Sequence, residues 1–205
     1  MAISEEQSKA APGQLALIQA LVNTQYGRAR RAHVELTNPE QLRTWLVEHR
    51  LLADDIPVTE GDFRRILQVR EALRDFLRIN NDFEDSPIQV ELLNNLASNA
   101  PLTVRFQHDG SPVLEPDIAG VDGVIAHLVG IVFTSMIDGT WGRLKACRNE
   151  RCQKAFYDTS KNRSGAWCSM ASCGSRSKAR VYRQRHITPT KGEAYVSTAI
   201  YDPDR

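Results

Sequence analysis

The segment Cys147-Arg-Asn-Glu-Arg-Cys152, followed after fifteen residues by Cys168-Ser-Met-Ala-Ser-Cys173, decides how the last third of this chain folds. It contains all four cysteines of the 205-residue sequence. Two closely spaced cysteine pairs, separated by an insert long enough for a hairpin, are the pattern that one tetrahedral Zn²⁺ requires. Because four thiolates fill the coordination sphere and no other cysteine remains, we expect a closed structural zinc site.

The segment around the cysteines is strongly basic. Residues 143–186 carry twelve Lys and Arg against two Asp and Glu, a formal charge of +10. Four thiolates with one Zn²⁺ would lower that charge to about +8. Residues 1–142 instead carry twelve Lys and Arg against twenty Asp and Glu, a formal charge of −8. This asymmetry predicts a DNA- or RNA-contacting module that is attached to an acidic body with a different task.

A basic helix is predicted directly after the second cysteine pair, over about residues 176–186. Several of its arginines share a face at helical spacing, and phosphate contact is the natural function of such a face. Val181 and Tyr182 are expected to pack inward. The candidate nucleic-acid contacts are Arg163, Arg176, Lys178, Arg180, Arg183 and Arg185.

The sequence upstream of residue 140 has mostly the apolar periodicity of helices. Asn38-Pro39 and Thr59-x-x-Asp62 are helix-start signals, an N-cap before proline and a capping box. The helix that begins after Thr59 is predicted to keep its arginines outside, and these are Arg64, Arg65, Arg70, Arg74 and Arg78. The predicted helices cover 38–49, 59–80, 86–96 and 117–138. Residues 14–30 begin as an apolar, helix-like run that turns polar at Asn23-Thr24, and we interpret these two residues as a helix-ending cap.

One part of the body has the alternation of strands. Residues 102–107 alternate, Asp109-Gly110 marks a turn, and 112–115 return as the partner strand. We therefore predict an α+β, predominantly helical fold. It comprises a helical N-terminal domain with one small β-hairpin and a C-terminal treble-clef-like zinc ribbon.

Within the ribbon, the first cysteine pair is expected on a knuckle turn and the second pair at the start of the last helix. Phe156, Tyr157 and Trp167 are expected on a hairpin, as a small apolar floor. The predicted divisions are a helical sensor domain over 1–140, a zinc finger over 141–188 and a loosely held tail over 189–205.

The first residues lack the basic start and apolar core of a secretory signal. The most apolar stretch, Val121–Ile137, is interrupted by Asp122 and His127 and is too short to span a bilayer. We therefore expect a cytoplasmic protein without a membrane partner. Clustered cysteines in a reducing compartment favour metal ligation over disulfides.

The sequence offers no catalytic constellation. Its five histidines are scattered, and none forms a ligand pair or lies beside a candidate nucleophile. It also lacks a phosphate-cradling glycine loop, a nucleophile elbow and an HExxH motif. We expect the protein not to be an enzyme.

The cysteine module resembles the CGNR zinc-finger family, and the body resembles the ABATE domain that precedes this finger in bacterial stress-induced transcriptional regulators. The finger motifs are Cys147-Arg-Asn-x-x-Cys152, Phe156-Tyr-Asp158-x-Ser160-x-Asn162-Arg163, Trp167-Cys168-Ser-Met and Cys173-Gly-Ser-Arg176-x-Lys178. The body motifs are Leu21-Val22-Asn23-Thr24, Pro39…Leu42-x-x-Trp45-Leu46, Val113-Leu-Glu-Pro116 and Asp138-Gly-Thr-Trp141. The resemblance implies zinc ligation by the four cysteines and DNA binding by the finger. In one departure, Ser175 stands where the family has its namesake asparagine, and serine can still cap a helix.

Three functions are compatible with these patterns. The first is a DNA-binding transcriptional regulator whose N-terminal domain senses a small molecule or a partner. The second is a zinc-stapled protein-interaction module whose basic helix docks on an acidic partner. The third is a redox sensor in which an oxidant ejects zinc from the thiolates. A homodimer is common among DNA-reading proteins of this size, and no residue pattern identifies an interface or a ligand.

Overall fold

Six helices and two small antiparallel hairpins form the part of the chain that the computed structural model describes, residues 9–25, 35–82 and 87–185. The helices are α1 (Leu15–Val22), α2 (Pro39–Glu48), α3 (Glu60–Ile79), α4 (Pro87–Ser98), α5 (Gly120–Ile137) and α6 (Ser175–Arg185). The strands are β1 (Leu102–Phe106), β2 (Pro112–Pro116), β3 (Leu144–Ala146) and β4 (Ala155–Tyr157). A 3-10 turn covers Trp141–Arg143, and a π-helical turn covers Met170–Gly174. This content confirms the predicted α+β, mainly helical class.

Helices α2 and α3 begin at the predicted signals. The Asn38 side chain accepts a hydrogen bond from the Gln41 backbone N–H at 2.9 Å, ahead of Pro39. Thr59 and Asp62 form the reciprocal capping box. Both helices therefore start where a side chain satisfies otherwise unpaired backbone groups.

Helix α1 also ends where the polar residues Asn23-Thr24 predicted, at Val22 with Asn23 as its C-cap. Residues 26–34 lie outside the described part, as do Ser86 and the predicted tail over 189–205. Helix α5 begins at Gly120, three residues later than predicted, because the second hairpin strand continues to Pro116.

Helix α5 is the most apolar element. It is long and apolar enough to cross a membrane by length and composition, but 56% of it is buried inside the protein. The buried central helix of a soluble protein has the same properties. The hairpin of β1 and β2 packs on α5, where Leu102 and Leu114 lie next to Gly130. The hairpin register, Leu102 opposite Pro116, confirms the predicted strand pair.

Two arginines of α3 depart from the prediction that they lie outside. Arg70 and Arg74 are only 3% and 5% exposed. Arg74 Nη2 donates to the carbonyl of Val22 at 2.9 Å, and Arg70 Nη1 donates to Thr24 Oγ1 at 3.3 Å. Both guanidiniums are therefore held in the interior because they satisfy polar groups at the C-terminal end of α1.

The hydrophobic core continues from the body into the cysteine module. Leu144, Ala146 and Ala155 are 0% exposed and belong to the same buried cluster as the residues of α1, α3 and α5. Strands β3 and β4 thus pack on the body, on α3 and α1 in particular. The hairpin half of the module has its apolar partners in the helical body.

Candidate metal centre

A knuckle turn between β3 and β4 presents the first cysteine pair. The Cys147 backbone N–H donates to the Lys154 carbonyl at 3.0 Å and closes the turn. Cys152 and Gln153 both donate backbone hydrogen bonds to the Asn149 carbonyl, at 2.7 and 3.0 Å. Gln153 adopts a left-handed φ of 54°, which lets the chain leave the tight turn and enter β4. The local sequence therefore turns Cys147 and Cys152 toward one another.

The second pair lies before and within the π-helical turn that precedes α6. Ser169 is the N-cap of this turn, since its side chain accepts from the Ser172 backbone N–H. The Ser169 carbonyl accepts hydrogen bonds from Cys173 and Gly174, both at 3.0 Å. A Cβ on Gly174 would lie 2.9 Å from the Met170 sulfur, so a larger residue there would displace the Met170 side chain.

The four predicted ligands meet at one point. Their Sγ atoms all lie within 4.8 Å of one another. Cys152 and Cys168 have their sulfurs 3.7 Å apart, and Cys168 and Cys173 have theirs 3.8 Å apart. A regular tetrahedron with Zn–S bonds of about 2.3 Å has edges of about 3.8 Å. The sulfur arrangement therefore fits a tetrahedral Zn²⁺ and leaves no open position for a substrate.

The close sulfurs alter one another's pKa. Hydrogen bonds from Cys147 and Cys168 lower the pKa of Cys152 to about 2. The hydrogen bond between Cys147 and Cys152 raises the pKa of Cys147 to about 12, and hydrogen bonds with Cys147 and Cys152 raise the pKa of Cys168. Four thiolates at these separations would repel one another, and a divalent cation would hold them together.

Aromatic rings form the floor of the centre. Phe156, on β4, is 2% exposed and packs with Cys147 and Cys173, and Trp167 packs against this cluster. Tyr157 also lies on β4, as predicted, but Trp167 lies in a loop rather than on the hairpin. Lys9 Nζ lies over the Phe156 ring, 4.9 Å from its centre, and donates to the Trp167 carbonyl at 2.7 Å.

A buried ion pair shapes the loop between the two cysteine pairs. Lys145 Nζ lies 2.9 Å from Asp158 Oδ2, and both side chains are at least 94% buried. Burial by itself would raise the pKa of Asp158, but hydrogen bonds from Lys145, Ser160 and Gly165 hold that pKa well below its usual range. A Cβ on Gly165 would lie 2.6 Å from Asp158 Oδ1, so a larger residue there would disrupt the pair.

Asparagine side chains fasten the module to the body. Asn81, directly after α3, donates to the carbonyls of Ala146 and Ala166 at 2.7 and 3.1 Å. Asn80 donates to Trp141 and Leu144 carbonyls, both at 2.9 Å. Asn23 exchanges hydrogen bonds with the backbone of Ala155. Sequence reasoning missed this role because an asparagine after a helix is ordinarily a cap, and Asn23 is indeed also the C-cap of α1.

The candidate nucleic-acid contacts fall into two places. Arg176, Lys178, Arg180 and Arg183 are exposed on α6, which Arg185 ends. Arg163 is exposed at a left-handed position, φ 53°, of the loop that Asp158 organises. The expected inward packing of Val181 and Tyr182 is wrong, since they are 38% and 64% exposed. Among the described residues, the contacts of α6 are concentrated on the preceding π-helical turn.

Ser175, the residue at the namesake position, is the first residue of α6. Its hydroxyl donates to the Met170 carbonyl at 3.0 Å. The N-cap of the helical segment is Ser169 instead, six residues earlier. Ser175 therefore supports the join between the π-helical turn and α6 without acting as the cap that the sequence suggested.

Two known families match this chain. The CGNR zinc finger matches residues 143–186, which include all four cysteines and α6 up to Arg185. The ABATE family, described as "Putative stress-induced transcription regulator", matches residues 15–129. No curated protein matches the chain. Zn²⁺ is accordingly the cofactor of the cysteine centre. The chain belongs to the ABATE family and carries a CGNR zinc finger after the ABATE domain.

Proposed function

We propose that the protein binds duplex DNA through α6 and the loop of Arg163, and that the helical body regulates this binding in the bacterial cytoplasm. The observation that carries the proposal is the exposure of α6. From Ser175 to Gln184 every residue of the helix is exposed except the half-buried Ser177. A basic helix that contributes nothing to the core is available for an anionic partner.

The zinc centre gives this helix a fixed base. Cys168 precedes the π-helical turn and Cys173 lies within it, and α6 follows directly. Zinc ligation by both residues would hold the N-terminal end of α6 while its arginines stay in solvent. Phosphate contacts from such a helix supply affinity, and an arginine that reaches a guanine edge would add sequence preference.

Salt dependence tests the electrostatic part of the proposal. If about five cations neutralise phosphates, the logarithm of the DNA affinity should fall against the logarithm of the salt concentration with a slope of about −4 to −5. The measurement is fluorescence anisotropy with zinc-loaded protein and a duplex selected from a random pool. Absence of any bound duplex, or an affinity that does not change with salt, would refute DNA binding.

A charge reversal separates DNA binding from docking on an acidic protein. The variant Arg180→Glu with Arg183→Glu should weaken duplex binding at least 100-fold, since it removes two cations and adds two anions on one face. The matched control is Arg50→Glu with Arg64→Glu, which makes the same charge change at exposed positions of the body. Equal loss of affinity in both variants would mean that α6 is not the interface. If the wild-type protein retains a co-purifying acidic protein but no duplex, the interaction-module function replaces this one.

A further inference from the structure

A cleft on the body opens next to the zinc knuckle and is not part of the centre itself. Its volume is about 590 Å³, within the range of small-molecule sites. Apolar surface comes from Leu67 and Leu92, and amide groups come from Gln68 and Gln153. Gln153 directly follows the predicted zinc ligand Cys152, so one wall of the cleft belongs to the knuckle.

The cleft is lined by two buried cations that share one carboxylate. Arg70 Nε donates to Glu71 Oε1 at 2.9 Å, and Arg74 Nε donates to Glu71 Oε2 at 3.0 Å. The Glu71 side chain is half exposed, whereas both arginines are almost fully buried. The lining therefore carries a formal charge of +1, and Glu35 is a further acid whose charge acts on Arg70.

The guanidiniums have donor capacity left. Each arginine has five N–H groups. Among described residues, Arg70 uses three of them, on Glu71, Thr24 and Gln25. Arg74 makes four hydrogen bonds, to Glu71, Gln153, Val22 and Gln25. Burial also lowers the pKa of Arg70, which means that its cationic form is incompletely stabilised. An anion in the cleft would accept hydrogen bonds from the unused N–H groups and would place a negative charge beside Arg70.

We infer that this cleft is the sensory site of the body and binds a small organic carboxylate, with the carboxylate toward Arg70 and Arg74 and the apolar part against Leu67 and Leu92. A carboxylate matches the planar, bidentate donor geometry of a guanidinium. This inference rests on the proposed function, because it names the ligand class for the regulating domain.

A hydrogen bond also links Arg74 of the cleft to the zinc knuckle. Arg74 Nη1 donates to the Gln153 carbonyl at 3.4 Å, a long contact that a stronger acceptor can replace. Gln153 also donates its N–H to Asn149, whose side chain donates to the Cys173 sulfur at 3.6 Å. Carboxylate binding therefore draws Arg74 away from the knuckle and alters the support of the turn that holds Cys147 and Cys152.

Isothermal titration of zinc-loaded protein with benzoate and hexanoate tests the site without DNA. We expect 1:1 saturable binding of at least one carboxylate, half-saturated at or below about 1 mM, as is usual for very small ligands. Benzamide and hexanamide, which lack the charge, should bind at least tenfold more weakly. No saturable binding of either carboxylate up to about 10 mM, or equal binding of the amides, would overturn the inference.

A like-charge substitution localises the ligand. Gln68 is exposed at the rim of the cleft, so Gln68→Glu adds a negative charge at little cost to the fold. It should weaken carboxylate binding at least tenfold, by repulsion. The control Gln107→Glu makes the same change at an exposed position outside the cleft lining and should stay within twofold of wild type. Equal affinities of the two variants would overturn the assignment to this cleft.

Hydrogen exchange and DNA affinity test the coupling. Saturating benzoate, or hexanoate if that binds instead, should change the exchange rate of knuckle amides 147–153 at least threefold, and unchanged rates would overturn the coupling. The same ligand should also alter duplex affinity, and a saturating duplex should then alter carboxylate affinity by the same factor, since coupling is reciprocal. If no duplex binds at all, DNA binding fails while the titration and exchange results still decide the carboxylate site.

Discussion

The zinc module has two halves that differ sharply in their surroundings. In the hairpin half, Leu144, Ala146 and Ala155 are fully buried against the body. In the helical half, α6 contacts mainly the turn that begins it and exposes its side chains. One metal centre joins these halves. The module is therefore not separate from the body, because its hairpin lies in the hydrophobic core whereas its helix lies on the surface.

Removal of zinc should give the largest effect and separate the two halves. Chelation, or Cys173→Ala, removes a metal whose ligation in small zinc modules is worth on the order of 10 kcal/mol. We expect amide exchange protection to disappear in α6 and in the turns that hold the cysteines, and to persist in β3, β4 and α5. Re-addition of zinc should restore protection in wild type only. Equal loss of protection in β4 and α6 would contradict the division.

Asp158→Asn should have the next largest effect, because it leaves the buried Lys145 ammonium without its counter-charge. Breaking one partner of a buried pair costs about 3–5 kcal/mol of unfolding free energy. The pKa of Asp158 is depressed in the folded state, so its stabilisation is present above about pH 4 and is lost as pH falls through the folded pKa. The difference between wild type and variant, measured by urea unfolding, should therefore shrink in acid. If the difference in unfolding free energy stays constant from pH 7 to pH 2, the charge of Asp158 is not its cause.

Asn81→Ala tests the fastening between body and module. The substitution leaves the buried carbonyl of Ala146 without the Asn81 donor, whereas the carbonyl of Ala166 still accepts from the Arg148 backbone N–H at 3.0 Å. We expect a loss of about 2 kcal/mol in thermal or urea unfolding, within the usual cost of an unsatisfied buried acceptor. Asn94→Ala, at an exposed position of α4, is the matched control and should change stability by less than about 0.5 kcal/mol.

Arg180→Ala should have the smallest effect on the fold. Its side chain is exposed on α6, and alanine is a better helix former, so the unfolding free energy should change by less than about 0.5 kcal/mol. Under the proposed function, the same substitution reduces the salt slope of duplex binding by about 1. Calorimetry and anisotropy on one preparation measure both quantities. A large loss of stability would show that α6 has a partner in the protein after all.

Local signals in the sequence predicted much of the fold. The capping box at Thr59 and the proline after Asn38 locate helix starts because they act within one turn of chain. The cysteine spacing likewise predicted the metal cluster, since each pair closes on a short loop. These features depend on residues that are close in sequence.

Long-range pairing was not predictable in the same way. The burial of Arg70 and Arg74 depends on where α1 ends, 46 or more residues earlier in the chain. The contact of Asn81 with Ala166 joins residues 85 positions apart. An arginine on a helix or an asparagine after one gives no sign of such a distant acceptor. The cleft beside Gln153 was missed for the same reason.

The asparagine contacts of Asn23, Asn80 and Asn81 affect how this protein should be dissected. A fragment cut at the start of the finger would uncover the apolar side of its hairpin and strand backbone carbonyls that need those amides. Such a fragment is expected to aggregate or to ligate zinc without the native hairpin packing. Biochemical work on the finger should therefore retain the helices that carry those three amides.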